Sequence, residues 1–284
     1  MLPNDLAVLV VGHGTRKPSG QAQLMQLVEH MRQAQPLWTI EPSFLELATP
    51  TIEQAIQTLS QRHFQRIVVV PILLFTAAHA KSDIPDAVEA CAREHGITVT
   101  AQTPSLGTSP ELIALSNHRF QEITSTAGQL GCPASHCGYG LPSACAAVCP
   151  LIGKTHQRVA LAMVGRGTSD PEALAHMHRF TELAAADRAV EWVSTGFFAG
   201  GELSVDMLLE QAASAEAHGQ ACDAVIVQPH LLFEGELMDQ LRSKLMRCRQ
   251  EYPDREWILA RCLGADRALA NVFVEFVRSV AETL

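Results

Sequence analysis

The stretch VLVVGHG, residues 8–14, decides the fold of this chain. It is a short aliphatic run without polar alternation, which is typical of a strand buried on both faces, and it ends in a glycine-flanked loop. The stretch LAMVGRG, residues 161–167, repeats this pattern. Three more segments recur in the same order: FLELATPTIEQA (44–55) as FFAGGELSVDML (197–208), VVVPILLF (68–75) as VIVQPHLLF (225–233), and LGTSPEL (106–112) as LGADRAL (263–269). This shared order predicts that one domain is present twice.

Each copy alternates strands with helices. In the first copy, the pattern predicts strands at 6–11, 67–74 and 97–101, and helices at 19–35, 51–61, 83–95 and 109–126. Such alternation favours parallel strands joined by right-handed crossover helices, the α/β class. We therefore predict two similar halves, 1–127 and 157–284. The Gly-, Pro-, Ser- and Cys-rich segment 128–156 is the expected linker.

Composition excludes several classes of function. A hydrophobic fraction of 47% and a mean hydropathy of +0.09 are typical of a folded globular chain. The longest apolar runs, such as 67–75, are about half the length that a bilayer requires, and no signal peptide is recognisable, so we expect a cytoplasmic protein. The net charge of −9 argues against nucleic acid as a partner.

Three polar side chains follow predicted strands of the first half. His13 follows the strand at 6–11, Glu46 ends a further strand inside FLELATP (44–50), and His79 follows the strand at 67–74. Ligands of open parallel sheets bind beyond the carboxyl ends of the strands, so we expect these side chains to converge there. Two imidazoles and a carboxylate form a suitable site for Co²⁺, Fe²⁺, Ni²⁺ or Zn²⁺.

The second copy serves as an internal control. It carries Arg166, Ala199 and Leu237 where the first copy carries the three polar residues, although the apolar framework persists. A residue that folding required would be required in both copies. The difference therefore favours a functional role for the three residues, and it predicts one active half and one degenerate half.

The segments VLVVGHGTR, FLELATPTI and VVPILLFTAAHAKSDIP together resemble the class II chelatases, the sirohydrochlorin cobaltochelatases and ferrochelatases in their two-domain form. The resemblance implies two flavodoxin-like domains with the tetrapyrrole held between them. It also implies that Co²⁺ or Fe²⁺ is inserted into sirohydrochlorin. His13 and His79 would then handle the metal and accept pyrrole protons, assisted by Glu46.

A substrate rich in carboxylates needs cations nearby. Arg16, Lys17 and Lys81 flank the two histidine motifs, and Arg166 lies in the degenerate half. We expect them to pair with substrate carboxylates, although each is equally compatible with an ordinary solvated charge.

The linker contains a cluster of cysteines: Cys132, Cys137, Cys145 and Cys149. Four thiols so close together suggest an iron–sulfur or metal centre, and some chelatases of this kind carry an iron–sulfur cluster. The spacing matches neither a zinc ribbon nor the usual ferredoxin pattern. A flexible linker with free thiols is the alternative.

Other functions fit the sequence less well. A phosphoglycerate-mutase-like phosphatase needs an arginine directly before the nucleophilic histidine, and Gly12 occupies that position. A dinucleotide-binding oxidoreductase needs a third glycine that is missing after Gly14. A non-catalytic metal or tetrapyrrole carrier would use the same ligands as a chelatase. The choice between cobalt, iron and nickel, between the cobalamin and siroheme pathways, and between a monomer and a homodimer stays open.

Overall fold

The computed structural model describes residues 2–75, 78–129, 158–217 and 219–282; side chains at 76–81, 125–129 and 217 are outside the description. In chain order the first part comprises β1 (Leu6–Gly12), α1 (Pro18–Ala34), β2 (Ile40–Phe44), α2 (Ile52–Gln61), β3 (Arg66–Pro71), α3 (Ala78–Glu94), β4 (Thr98–Gln102) and α4 (Pro110–Gln129). The second part comprises β5 (Val159–Gly165), α5 (Pro171–Ala185), β6 (Trp192–Phe197), α6 (Val205–Ala213), β7 (Glu216–Ala217), β8 (Gln220–Ala221), β9 (Ala224–Pro229), α7 (Glu236–Glu251), β10 (Glu256–Leu259) and α8 (Arg267–Ala281).

Two four-stranded sheets have the same topology. Their orders are β2-β1-β3-β4 and β6-β5-β9-β10, and all pairings within them are parallel. β7 and β8 form a separate antiparallel pair. The predicted α/β class and the internal duplication are confirmed.

Alternate residues of the central strands face different helices. Ala7, Leu9 and Val11 of β1 pack with apolar residues of α2 and α3, including Ile56 and Val88. The intervening residues of β1 are also fully buried, which explains the absence of polar alternation in the sequence.

The last helix of each predicted half belongs to the compact unit of the other half's sheet. One unit contains 1–112 with 232–235 and 264–284, and the other contains 113–231 with 236–263. Helix α8 therefore packs with α1, β3 and β4 of the first sheet. The reason is apolar burial: α8 buries a stripe of large side chains, among them Phe273 and Val277.

Helix α4 belongs in turn to the unit of the second sheet. Gln228 on β9 donates from Nε2 to the backbone oxygen of Ser116, at 2.8 Å. Arg119 is 1% exposed and donates to the backbone oxygen of Leu263. The boundaries 1–127 and 157–284 follow the sequence repeat and stay a prediction, whereas the compact units group the helices by the sheet that they pack on.

Helix α3 begins earlier than the sequence pattern predicted. The expected start at 83 placed Pro85 in the first turn, where proline is tolerated, but the helix begins at Ala78 and contains Pro85 internally. His79 therefore lies in the first turn of a helix and not in the loop that follows β3. Among the helices of the described residues, none is long and apolar enough to cross a membrane.

Candidate functional site

His13 and Glu46 come together at the carboxyl edge of the first sheet. β1 and β2 are parallel neighbours with Gly12 opposite Phe44. Beyond the strands, the backbone N–H of Leu45 donates to the oxygen of Gly12 at 2.8 Å, and that of Glu46 donates to the oxygen of His13 at 3.0 Å. These bonds extend the ladder into the loops and hold His13 and Glu46 side by side.

Their side chains are close but open to solvent. His13 Nδ1 lies 3.7 Å from Glu46 Oε1, and the side chains are 39% and 53% exposed. At this distance an ion pair forms only when the imidazole is protonated, and solvent screens it. The pair therefore contributes little to folding and remains accessible to a ligand.

Gly14 makes the close approach of these loops possible. Its φ is +104°, and a Cβ at this position would lie 1.7 Å from the backbone oxygen of Glu46. No side chain fits there unless the Glu46 loop moves away. The glycine after His13 thus allows the backbone of the Glu46 loop to lie against the His13 loop.

The chain segment that leads to His79 leaves the first sheet at the edge where His13 and Glu46 lie. β3 pairs with β1 up to Val11 and Pro71, and the N–H of Ile72 then donates to the oxygen of Val11 at 2.9 Å. The side chain of His79 is outside the described part of the structure, so its convergence with His13 and Glu46 stays a prediction. Where side chains are described, no three His, Cys, Asp or Glu residues gather closely enough to hold a metal ion.

The four cationic residues predicted to bind substrate lie in different parts of the structure. Arg16 is exposed, and Lys17 is the N-cap residue of α1, with its backbone N–H donating to Thr15 Oγ1 at 3.2 Å. Lys81 lies in α3, with its side chain outside the description. Arg166 is exposed in the unit of the second sheet, directly after β5. Two of the four therefore follow His13 in the same loop.

One neighbour of the His13 loop was not predicted. Residues 232–235 pack on the start of α1: the N–H of Glu234 donates to Gln23 Oε1 at 2.6 Å, and a Cβ on Gly20 would lie 2.3 Å from the oxygen of Glu234. Gly20, a glycine inside a predicted helix, was the sequence signal that another backbone approaches closely.

Comparison with known proteins identifies the family. The CbiX family model matches residues 7–123 and again 160–280. The chain belongs to the CbiX family. The double match agrees with the internal duplication seen in both sheets.

Relatives of this CbiX-family chain match over almost its full length. A sirohydrochlorin ferrochelatase of Priestia megaterium is 27% identical over 96% of this chain and 90% of its own length. A sirohydrochlorin cobaltochelatase of the same organism is 26% identical over 95% of this chain and 78% of its own length. The cobalt complex of the sirohydrochlorin chelatase SirB from Bacillus subtilis subspecies spizizenii is 26% identical, covers 98% of this chain and 95% of SirB, and superposes with a TM-score of 0.71.

The second CbiX-type repeat has the same backbone frame, with Arg166 and Ala199 in place of His13 and Glu46. Phe198 and Ala199 donate to the oxygens of Gly165 and Arg166 at 3.2 and 3.1 Å, as Leu45 and Glu46 do in the first repeat. Gly167 has a φ of +83°, and its Cβ would lie 1.8 Å from the oxygen of Ala199. The frame therefore forms with arginine and alanine, so this backbone arrangement does not require a histidine or a glutamate.

Proposed function

We propose that this chain inserts a divalent cation, Co²⁺ or Fe²⁺, into sirohydrochlorin or a closely related anionic tetrapyrrole. The observation that carries the proposal is the His13–Glu46 pair, which the first repeat holds at its sheet edge and the second repeat replaces. The relatives named for iron and for cobalt insertion support this reaction, and they leave the choice of metal open.

The reaction exchanges protons for a metal ion. Four ring nitrogens bind M²⁺ while two N–H bonds break, so two protons leave the macrocycle. A neutral imidazole is a suitable acceptor, since the unperturbed pKa of histidine is near 6.5. His13 accepts one proton in this scheme and His79 the other.

Glu46 assists His13. Its carboxylate, 3.7 Å from Nδ1, stabilises the imidazolium that forms when His13 takes up a proton. Because both side chains are partly exposed, the proton can continue from this pair into solvent. In this scheme Glu46 lies on the Nδ1 side of the ring, and Nε2 is the nitrogen assigned to the substrate.

The same imidazoles handle the incoming metal. A closed set of four protein ligands would retain the ion, whereas two or three ligands with open positions allow its transfer to the ring nitrogens. Arg16, Lys17, Lys81 and Arg166 are the cations proposed to pair with the substrate carboxylates. The proposed reaction does not depend on Cys132, Cys137, Cys145 and Cys149, which lie outside the described residues; an iron–sulfur centre there stays a prediction.

The test is direct spectroscopy of metal insertion. Purified protein is mixed with sirohydrochlorin and with Co²⁺ or Fe²⁺, under exclusion of oxygen for iron, and the absorption spectrum is followed against a protein-free control. We expect multiple turnovers. A carrier would bind the tetrapyrrole stoichiometrically and show no turnover.

The double variant His13→Ala/His79→Ala tests the assigned residues. We expect a loss of insertion of at least about a hundredfold with an unchanged circular dichroism spectrum, since general acid–base groups contribute roughly 10²–10⁴-fold. His95→Ala, directly after the end of α3, is a control histidine variant and should keep the wild-type rate. A double variant that keeps the wild-type rate would remove the assignment.

A further inference from the structure

Leu47, directly after Glu46, has a backbone conformation that leucine rarely adopts. Its φ is +61°, and only one other non-glycine residue of the described chain, His63, has a positive φ. The left-handed region disfavours a residue with a Cβ by roughly 5- to 30-fold. Some other property of leucine must therefore account for its presence at this position.

The turn itself does not require leucine. In the second repeat the equivalent residue is Gly200, with a φ of +65°. The surrounding frame is the same: Phe44 N–H donates to the oxygen of Pro50 at 2.9 Å, and Phe197 N–H donates to the oxygen of Leu203 at 2.9 Å. Glycine thus forms this turn without strain, where the first repeat has a strained leucine.

Packing in the protein does not account for the leucine either. Leu47 is 47% exposed, whereas most large aliphatic residues of this unit are almost completely buried. A single exposed leucine is ordinary on a protein surface. An exposed leucine in a strained conformation, one residue from a functional carboxylate, matches the pattern of strain at ligand-binding positions.

We infer that Leu47 is a substrate-contacting residue that presents its apolar side chain to the flat face of the tetrapyrrole beside His13 and Glu46. This inference rests on the proposed function. A tetrapyrrole is a broad conjugated ring with carboxylates at its rim, so its recognition needs apolar contact at the face as well as cations at the edge. Leu47 supplies apolar surface next to the residues that act on the ring centre.

The expected effect follows from the exposed part of the side chain. Complete burial of a leucine is equivalent to roughly a 10- to 150-fold gain in affinity, and about half of this side chain remains available for contact. Leu47→Gly should therefore weaken binding of metal-free sirohydrochlorin by about five- to tenfold. It should also relieve backbone strain, so that the protein unfolds at an equal or higher urea concentration.

Three further variants separate the possible causes. His63→Gly relieves the other strained position, at the end of α2, where φ is +64°; it should preserve or raise stability and leave substrate affinity unchanged. Leu47→Asn retains a residue that tolerates the left-handed region but removes the apolar surface, so it should lose affinity as the glycine variant does. Leu47→Met should retain affinity within about threefold.

The measurement is a fluorescence or absorption titration of metal-free sirohydrochlorin, together with urea unfolding and the rate of metal insertion. Weaker binding by Leu47→Gly and Leu47→Asn, with His63→Gly and Leu47→Met close to wild type, supports the inference. Wild-type affinity of Leu47→Gly, or an equal loss in His63→Gly, overturns it. If the wild-type protein itself does not bind sirohydrochlorin, the proposed function fails as well, and the titration of the unmodified protein reveals that separately.

Discussion

Replacing Gly14 by alanine is the sharpest test of the geometry that holds His13 beside Glu46. The added Cβ would lie 1.7 Å from the backbone oxygen of Glu46. A carbon and a carbonyl oxygen need roughly 3.3 Å, so the loop of Glu46 must retreat by roughly 1.6 Å. The N–H···O bond from Glu46 to His13, 3.0 Å long, cannot survive such a shift.

Two terms give the magnitude of the destabilisation. The backbone at Gly14, with φ at +104°, is unfavourable for alanine by about 1–3 kcal/mol. Loss of the hydrogen bond adds about 0.5–1.5 kcal/mol. We therefore expect the free energy of unfolding to fall by about 1.5–4.5 kcal/mol.

The chain contains two matched controls for this substitution. Gly167→Ala creates the same clash in the second repeat, with a Cβ 1.8 Å from the oxygen of Ala199, so it should be destabilised to a similar extent. Gly96→Ala has a positive φ of +68° but meets nothing within 4 Å, so it should lose only about 1 kcal/mol.

The assay combines urea unfolding with initial rates of metal insertion, measured at a temperature where all three variants are folded. A displacement of about 1 Å at a reacting group can lower a rate by about 10²-fold, so Gly14→Ala should lose at least tenfold while Gly167→Ala keeps most of its rate. A folded Gly14→Ala protein with wild-type activity, or one no less stable than Gly96→Ala, would refute this account of the loop.

Two further predictions concern Glu46 and a buried histidine. Glu46→Ala should lower insertion at least about tenfold but change stability by less than about 0.5 kcal/mol, because its exposed ion pair contributes little; urea unfolding and insertion rates measure both, and a large loss of stability would contradict the assignment. Burial lowers the pKa of His230, which packs on the Phe180 ring with the centroids 4.0 Å apart, to about 3, against about 6.5 in the unfolded chain. Between these values the unfolded chain binds more protons than the folded chain, so this residue's contribution to stability is complete above pH 6.5 and is lost progressively as the pH falls toward 3. His230→Ile introduces the residue found at the equivalent position of the first repeat, Ile72. It should reduce the slope of unfolding free energy against pH in this window by about 1.4 kcal/mol per pH unit. Urea unfolding between about pH 4.5 and 7 measures this slope, and equal slopes in variant and wild type would exclude His230 as the cause.

The parts of the fold that depend on local pattern could be predicted from the sequence. Strand β1 was expected at 6–11 and spans Leu6–Gly12, and α1 was expected at 19–35 and spans Pro18–Ala34. Both have a strong apolar period and clear boundaries. The proximity of His13 and Glu46 was also predictable, because the carboxyl ends of parallel strands lie at the same edge of a sheet.

The parts that depend on distant contacts were not predictable in this way. The placement of α4 and α8 depends on which sheet covers the apolar stripe of each helix, and the sequence of a helix alone does not give its partner sheet. The early start of α3 was obscured by Pro85, whose usual place is the first turn. The strain at Leu47 was visible only after the φ angle was known, although its alignment with Gly200 was the available signal.

Because α8 packs on the first sheet and α4 on the second, we expect that neither repeat folds stably by itself. A fragment that stopped at residue 127 would lack α8, and the face of β3 that carries Val68 and Val70, both at most 1% exposed in the whole chain, would lose part of its cover to water. A fragment that began at residue 157 would lack Ser116, which bonds Gln228 of β9, and Arg119, which bonds the backbone of Leu263. Expressing the two sequence repeats as separate fragments should therefore give two proteins that each lack a helix of their sheet, although the repeat itself is evident in the sequence.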